Sequence, residues 1–283
     1  MWKQKIVQTT RGMFEVFTKG HGTPLCVTHH YSSFNETGDY FADSFTHSHT
    51  VILINLRECG HSAQATEPYQ LSFIETILDL EAIRTSLGYK KWGFAGHSTG
   101  GMLGIIYGIH FSDSLHYTII VGAAAREYQI FSPTCIYNKQ HPQYENMQQL
   151  TRLLSDKNLT AQEKESYKVE RTKLSLYKPD LYSEFFNRNI HKSLNPIRLH
   201  YFSREVVIFD VTKQLTLIQT PTLIICGKHD VQCPVTYSIE MAGLIPTAEL
   251  VIFYESNHYP FLEEKAKFTS IIDSFFQQLS DHE

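Results

Sequence analysis

Three side chains, Ser98, Asp230 and His258, have the types and the chain order needed to activate a hydroxyl for attack on a carbonyl carbon. A serine hydroxyl is a weak nucleophile until a neighbouring imidazole takes its proton, and the imidazole works best when an anionic group fixes its tautomer and stabilises the imidazolium. Each of the three follows an apolar stretch of strand length: Ser98 lies inside the run from Lys90 to Gly108, Asp230 comes just after Thr222 to Cys226, and His258 comes just after the run ending at Tyr254. A lone aspartate between strand and helix usually forms a turn or cap, and one histidine among 15 carries little weight. Their common strand-end position and their order after the serine are what single them out.

The elements that must hold these groups can be read around them. Gly96-His97-Ser98-Thr99-Gly100 sits where a short buried strand turns sharply into a glycine-rich helix. A tight turn there holds the hydroxyl exposed, and the flanking glycines let strand and helix backbones approach. By itself the pattern also fits an ordinary Gly/Ser turn; the aspartate and histidine decide between the two.

Along the chain, Ile6 to Thr10 and Met13 to Thr18 alternate apolar and polar residues about Arg11-Gly12, the pattern of an antiparallel pair with one wet face. Pro24 to Thr28 and Thr50 to Asn55 read as strands covered on both faces, the first running into the polar stretch His29-His30-Tyr31-Ser32-Ser33. Ser72 to Leu87 has a helical period, with Ile74, Ile77, Leu78, Leu80, Ile83 and Leu87 on one face and Ser72-x-x-Glu75 as a capping box. His116 to Val121 is a further strand. From Arg126 to Asp210 the alternation stops and a polar, tyrosine-rich segment follows, too long for a structureless loop and read as a helical cap. Strand and helix then alternate again to a closing amphipathic helix through Phe268, Ile272 and Phe275. The expected architecture is α/β, a mostly parallel doubly wound sheet formed by residues 1–125 and 211–283, with the cap at 126–210 inserted.

Composition narrows the function classes. A chain of 283 residues with 42% hydrophobic and 19% charged residues and net charge −4 makes no electrostatic case for binding nucleic acid or an anionic membrane. Five cysteines without repeated spacing read as small buried thiols in a reducing compartment rather than a disulfide frame or metal site. His29-His30 and His47-x-His49 lack a third ligand at a recognisable spacing, so no metal and no cofactor is expected. With no leader-like N-terminus and no apolar run long enough to span a bilayer, the expectation is a soluble cytoplasmic protein.

Gly96-His-Ser-Thr-Gly-Gly101, Pro221-Thr-Leu-Ile-Ile-Cys-Gly-Lys-His-Asp230 and Ser256-Asn-His-Tyr-Pro-Phe-Leu-Glu263 together resemble the nucleophile elbow, acid loop and histidine loop of α/β-hydrolase-fold serine hydrolases of the proline iminopeptidase-like branch. The resemblance covers the chain apart from the cap. It implies Ser98 as nucleophile, His258 as base, Asp230 as its orienting acid, and an oxyanion hole of backbone N–H groups from Thr99 and from Tyr31 or His30. Two features depart from the family. Its oxyanion loop usually begins His-Gly, where this chain has His29-His30, and a histidine in place of glycine implies a different backbone or a narrower pocket. Its Asp-x-Arg-Gly-x-Gly-x-Ser stretch appears as Asn55 to Ser62, retaining Arg57, Gly60 and Ser62, which read as structural.

True proline iminopeptidases resemble this chain less, since their His-Gly-Gly-Pro-Gly loop and the tryptophan after the nucleophile are missing. The implied reaction is hydrolysis of a small acyl substrate, ester first, with lactone and amide open. A prolyl-type aminopeptidase, which needs a cap carboxylate for the substrate amine, is the first rival, with Glu145, Glu163, Glu165, Glu170, Glu184 and Glu205 available. A ligand-binding member without activity is the second.

Overall fold

Apolar runs rich in β-branched and aromatic residues become strands here because they can be covered on both faces. In the computed structural model, which describes residues 1–281, such runs make up the centre of one eight-stranded sheet. Its strands, in chain order, are β1 (Lys3–Thr9), β2 (Gly12–Lys19), β3 (Thr23–Val27), β4 (His49–Ile54), β5 (Trp92–His97), β6 (Leu115–Val121), β7 (Thr222–Gly227) and β8 (Ala248–Phe253). Their spatial order is β1-β2-β4-β3-β5-β6-β7-β8. The first two pairings are antiparallel and the rest parallel. Every residue of β5 and β7 is buried, while edge strand β1 is mostly exposed.

Alternation along each strand splits the core in two. Ile52 and Ile54 of β4 point into one apolar cluster with α1 (Phe73–Ser86), α2 (Thr99–Phe111) and α6 (Val235–Leu244). Val51 and Leu53 point into the other, which α7 (Lys265–Ser280) closes with Phe268, Ile272 and Phe275.

Helix α1 differs from its expected face. Phe73, Ile77, Leu80 and Ile83 are buried, but Ile74 is exposed, and Thr76 and Asp79 take buried positions instead. Asp79 is the reason: its carboxylate accepts from Arg57 and Arg11, so the helix turns a polar edge to the sheet. Only half of the capping box forms. Ser72 Oγ accepts from Glu75 N at 3.3 Å, while the Glu75 carboxylate is drawn to Arg11.

Between β6 and β7 the chain leaves and returns side by side, with Glu127 N donating to Phe209 O at 2.7 Å and Val211 N to Ala125 O at 2.8 Å. The excursion contains α3 (Tyr144–Ser155), α4 (Ala161–Lys173) and α5 (Pro196–Glu205). It is pinned to the loop after β3 by a two-residue antiparallel pairing of Ser32–Ser33 with Ser193–Leu194. All five cysteines are buried and free. Among the described residues no helix is long and apolar enough to cross a membrane, and no cluster of His, Cys, Asp and Glu could hold a metal ion.

Candidate functional site

The strand order reverses at β3, which lies between β4 and β5, so the loops leaving β3 and β5 open a crevice at the sheet's carboxyl edge. Those loops carry His29-His30-Tyr31 and Ser98. Ser98 has φ 57° and ψ −125°, a backbone state costly for a side-chain-bearing residue. It is held by its N–H donating to Val121 O at 2.8 Å and its carbonyl accepting from Gly101 N at 2.9 Å. Gly96 and Gly100 are required by close approach, because a Cβ on Gly96 would lie 2.1 Å from Gly100 O and one on Gly100 would lie 2.4 Å from Thr28 O.

Asp230 and His258, from the loops after β7 and β8, meet in the interior. His258 Nδ1 lies 2.8 Å from Asp230 Oδ2, and both residues are buried. Asp230 Oδ1 accepts from the N–H groups of Gln232 and Cys233, each at 2.8 Å, which fixes the carboxylate. The His258 backbone is tied twice: its N–H donates to Ser175 O of the cap at 3.2 Å, and its carbonyl accepts from His97 Nε2 at 2.7 Å. Burial holds His97 neutral, its pKa well below the usual imidazole range, so the proton that makes this bond sits on Nε2. Gly122, directly after β6, lies under the pair; a Cβ there would stand 3.0 Å from Asp230 Oδ2. Ser98 is half-exposed, and among the described residues no side chain hydrogen-bonds its hydroxyl. Such links are often long in unliganded sites.

His30 does not narrow the crevice. It is fully buried, has no left-handed φ, and stacks on Phe73 with ring centroids 4.5 Å apart. The site behind it is built by the fully buried Arg198 of α5. That guanidinium donates to His30 O, to Arg57 O at 3.2 Å and to Thr76 Oγ1 at 2.9 Å, with His30 Nδ1 at 3.2 Å. Burial lowers the Arg198 pKa to about 10 and keeps His30 neutral. Glu205 of α5 stands behind the same ring, its Oε2 3.7 Å from His30 Nε2, and burial raises its pKa to about 7. Tyr31 and Thr99 meet at the crevice through His29, whose ring packs on Tyr31 with centroids 4.7 Å apart and whose Nε2 lies 3.1 Å from Thr99 Oγ1. Thr99 opens α2, where the first N–H groups have no acceptor in the helix.

The cap supplies residues that the motifs do not mark. Gln232 Nε2 donates to Ser175 Oγ at 2.9 Å, Tyr137 OH donates to Gln232 Oε1 at 2.8 Å, and Arg171 of α4 donates to Tyr137 OH at 3.2 Å. Helical counting from Leu174 back through Arg171, Tyr167 and Lys164 gives the half-buried stripe of α4, which is the signal that would have found Arg171. For Arg198 the signal was Asn195-Pro196, a cap followed by a first-turn proline, whose inward positions are Arg198 and Phe202. Of the six glutamates singled out from the sequence, Glu145, Glu163, Glu165, Glu170 and Glu184 are exposed and Glu205 faces Phe73 N and His30; a seventh in the segment, Glu127, is buried and accepts from Gln129 N and Ile130 N. A surface hollow of about 510 Å³ beside Glu15, Glu58 and His61 contains none of Ser98, Asp230 and His258.

A family model described as alpha/beta hydrolase fold matches residues 21–265. The AB hydrolase superfamily protein YisY of Bacillus subtilis is 27% identical over 259 residues, 90% of this chain and 92% of that protein. A proline iminopeptidase of Saccharolobus solfataricus is 25% identical over 246 residues, 84% of this chain and 79% of that protein. The solved structure of an alpha/beta fold family hydrolase from Bacillus anthracis str. Sterne superposes with a TM-score of 0.94 at 40% identity, covering 97% of this chain and 99% of that one.

Proposed function

Because the chain belongs to the α/β-hydrolase fold family, we propose that it is a serine hydrolase that cleaves a small carboxylic ester through an acyl-enzyme, with lactones and amides open to the same machinery. Ser98 Oγ attacks the carbonyl carbon while His258 Nε2 takes the hydroxyl proton, and Asp230 stabilises the imidazolium through Nδ1. The oxyanion is met by backbone N–H groups of Thr99 and of Tyr31 or His30, at the positive end of α2. On collapse the C–O bond to the leaving group breaks and His258 returns the proton to the departing alkoxide. Water, deprotonated by the same imidazole, then releases the acid and regenerates Ser98.

The observation that carries this reading is the buried 2.8 Å hydrogen bond between His258 and Asp230, under a turn that holds Ser98 at φ 57°. Ser98→Ala is expected to lower turnover of a p-nitrophenyl ester roughly 10⁴-fold or more and to abolish labelling by a fluorophosphonate probe. Turnover equal to wild type in that variant would sink the assignment, and wild-type protein that is folded but unlabelled would favour a ligand-binding member of the fold. The partner is a small molecule, neither nucleic acid nor membrane, and five buried thiols fit a reducing, cytoplasmic setting.

The second reading, a prolyl-type aminopeptidase on the same three residues, is favoured by the 25% identity to a proline iminopeptidase. It needs an anion to meet the substrate's free amine; of the seven glutamates in 126–210 five are exposed, Glu205 faces His30, and the buried Glu127 accepts from the N–H groups of Gln129 and Ile130. Comparing proline p-nitroanilide with short-chain esters separates the two, since the aminopeptidase requires the unblocked amine.

A further inference from the structure

Beside the groups assigned to catalysis lies Arg171, a cation without a counter-ion among the described residues. Arg171 is half-buried, and among the described residues no carboxylate comes within 4.0 Å of it, although the neighbouring α4 charges Lys168 and Lys173 pair with Glu165 and Glu170 on the outer surface. Among the described residues its one hydrogen bond to the protein goes to Tyr137 OH, at 3.2 Å. A guanidinium offers five donors in a planar fork, so most of this one is left for something else.

Its surroundings define where that something would sit. Tyr137 OH is its hydrogen-bond partner, and the phenols of Tyr259 and Tyr31 are near enough to act electrostatically on its charge. Each belongs to a different part of the site: Tyr259 follows His258, Tyr31 lies in the loop after β3 with its ring against that of His29, whose side chain meets Thr99 next to Ser98, and Tyr137 bonds Gln232, whose N–H holds Asp230. All three phenols are half-buried. A half-buried guanidinium with most of its donors unused, joined through one phenol to the loop that carries Asp230, has the chemistry of a carboxylate receptor, because charge-assisted bidentate bonds recover what the cation loses on leaving water. A free amine placed there would meet like charge.

Resting on the hydrolase reading above, we infer that Arg171 selects substrates by binding a carboxylate on the substrate, so that the preferred class is a small ester or lactone carrying a second, ionised acid group. No bond to Arg171 forms or breaks in the reaction; it is a specificity residue that orients the acyl group.

The test compares p-nitrophenyl monoesters of succinic and glutaric acid with the neutral isostere p-nitrophenyl isocaproate. Wild type is expected to favour at least one monoester in kcat/KM by roughly 10-fold or more. Arg171→Met should cut that preference by about 10- to 100-fold and Arg171→Lys by less, the cost of removing one partner of a close charge pair. Fluorophosphonate labelling reports whether each variant is folded with a working serine. A wild-type preference at or below one, or one unchanged in a labelled Arg171→Met variant, overturns the inference. Calorimetry of monomethyl succinate binding to Ser98→Ala keeps the two readings apart. Binding that is lost in Ser98→Ala/Arg171→Met supports the anion site even if wild type hydrolyses nothing, in which case only the hydrolase reading has failed. Binding unaffected by the second substitution counts against Arg171.

Discussion

The sheet side of the crevice and its cap side are held by different means. On the sheet side, Ser98, Asp230 and His258 stand at the ends of parallel strands, and each is fixed by backbone groups: Ser98 through Val121 O, Asp230 through two N–H groups of its own loop, His258 through the carbonyl bonded to His97. On the cap side, Arg171 and Arg198 reach in from helices and are held by their own side-chain bonds to a phenol, two carbonyls and a hydroxyl. Backbone-fixed groups leave little freedom, as activating a hydroxyl demands. Groups carried on helices of an inserted segment can be exchanged without disturbing the strands, which suits the choice of substrate.

If this division is right, substitutions on the sheet side should remove rate while leaving the fold intact. Asp230→Asn is the sharpest such case after the nucleophile itself. The amide oxygen can still accept from Gln232 N and Cys233 N, but it no longer holds His258 in the tautomer with Nδ1–H and leaves the imidazolium without its anion. We expect kcat to fall by about 10³- to 10⁴-fold with a melting temperature near wild type. A fall below 10-fold would mean that Asp230 is only a turn aspartate and that the sheet side is less exacting than its geometry indicates.

Arg198→Met probes the cap side, where the effect should appear in stability. The substitution leaves His30 O, Arg57 O and Thr76 Oγ1 without their donor in the interior, and relief of a buried cation returns part of that cost. The expected net loss is about 1–3 kcal/mol in urea unfolding. Because the same guanidinium props the loop bearing His30 and Tyr31, a smaller fall in kcat should accompany it. A variant as stable and as active as wild type would show that the loop bearing His30 and Tyr31 does not lean on the cap.

The two sides also differed in how far the sequence revealed them. The sheet-side residues announce themselves because strand ends impose local chemistry: the turn at Ser98 needs Gly96 and Gly100 beside it, and apolar runs mark where Asp230 and His258 begin their loops. The α/β-hydrolase fold, the parallel sheet and the family were legible for the same reason. Arg171 sits in Ala161–Lys173, a helix so rich in charge that an inward cation looks like its outward neighbours. Arg198 and His30 find each other across 168 residues, a distance over which neither period nor spacing carries information. Helix α1 misled in a related way, since the buried Asp79 and Thr76 serve arginines from elsewhere in the chain and displace Ile74 to the surface.

The smallest expected effect concerns the acid behind the loop holding His30, and its sign depends on pH. Burial raises the Glu205 pKa from 4.5 to about 7, so between those values the folded protein keeps a proton that the unfolded chain has lost. The native state then binds more protons than the unfolded one, and this group makes stability fall as pH rises through the window, levelling above about pH 7. His29, His30 and His97 act oppositely: burial depresses their pKa values well below 6.5, so the unfolded chain takes up protons that the native state refuses, and stability falls as pH drops below 6.5. Glu205 and these histidines therefore contribute opposed slopes between pH 4.5 and 6.5, and Glu205→Gln removes the first of them. The variant should gain on wild type by about 1–2 kcal/mol as pH rises from 4.5 to above 7, and should lose stability more steeply on acidification. Parallel unfolding curves for the two proteins across that range would mean that the Glu205 carboxylate is solvated in the native state, and that the cap does not seal the back of the loop holding His30.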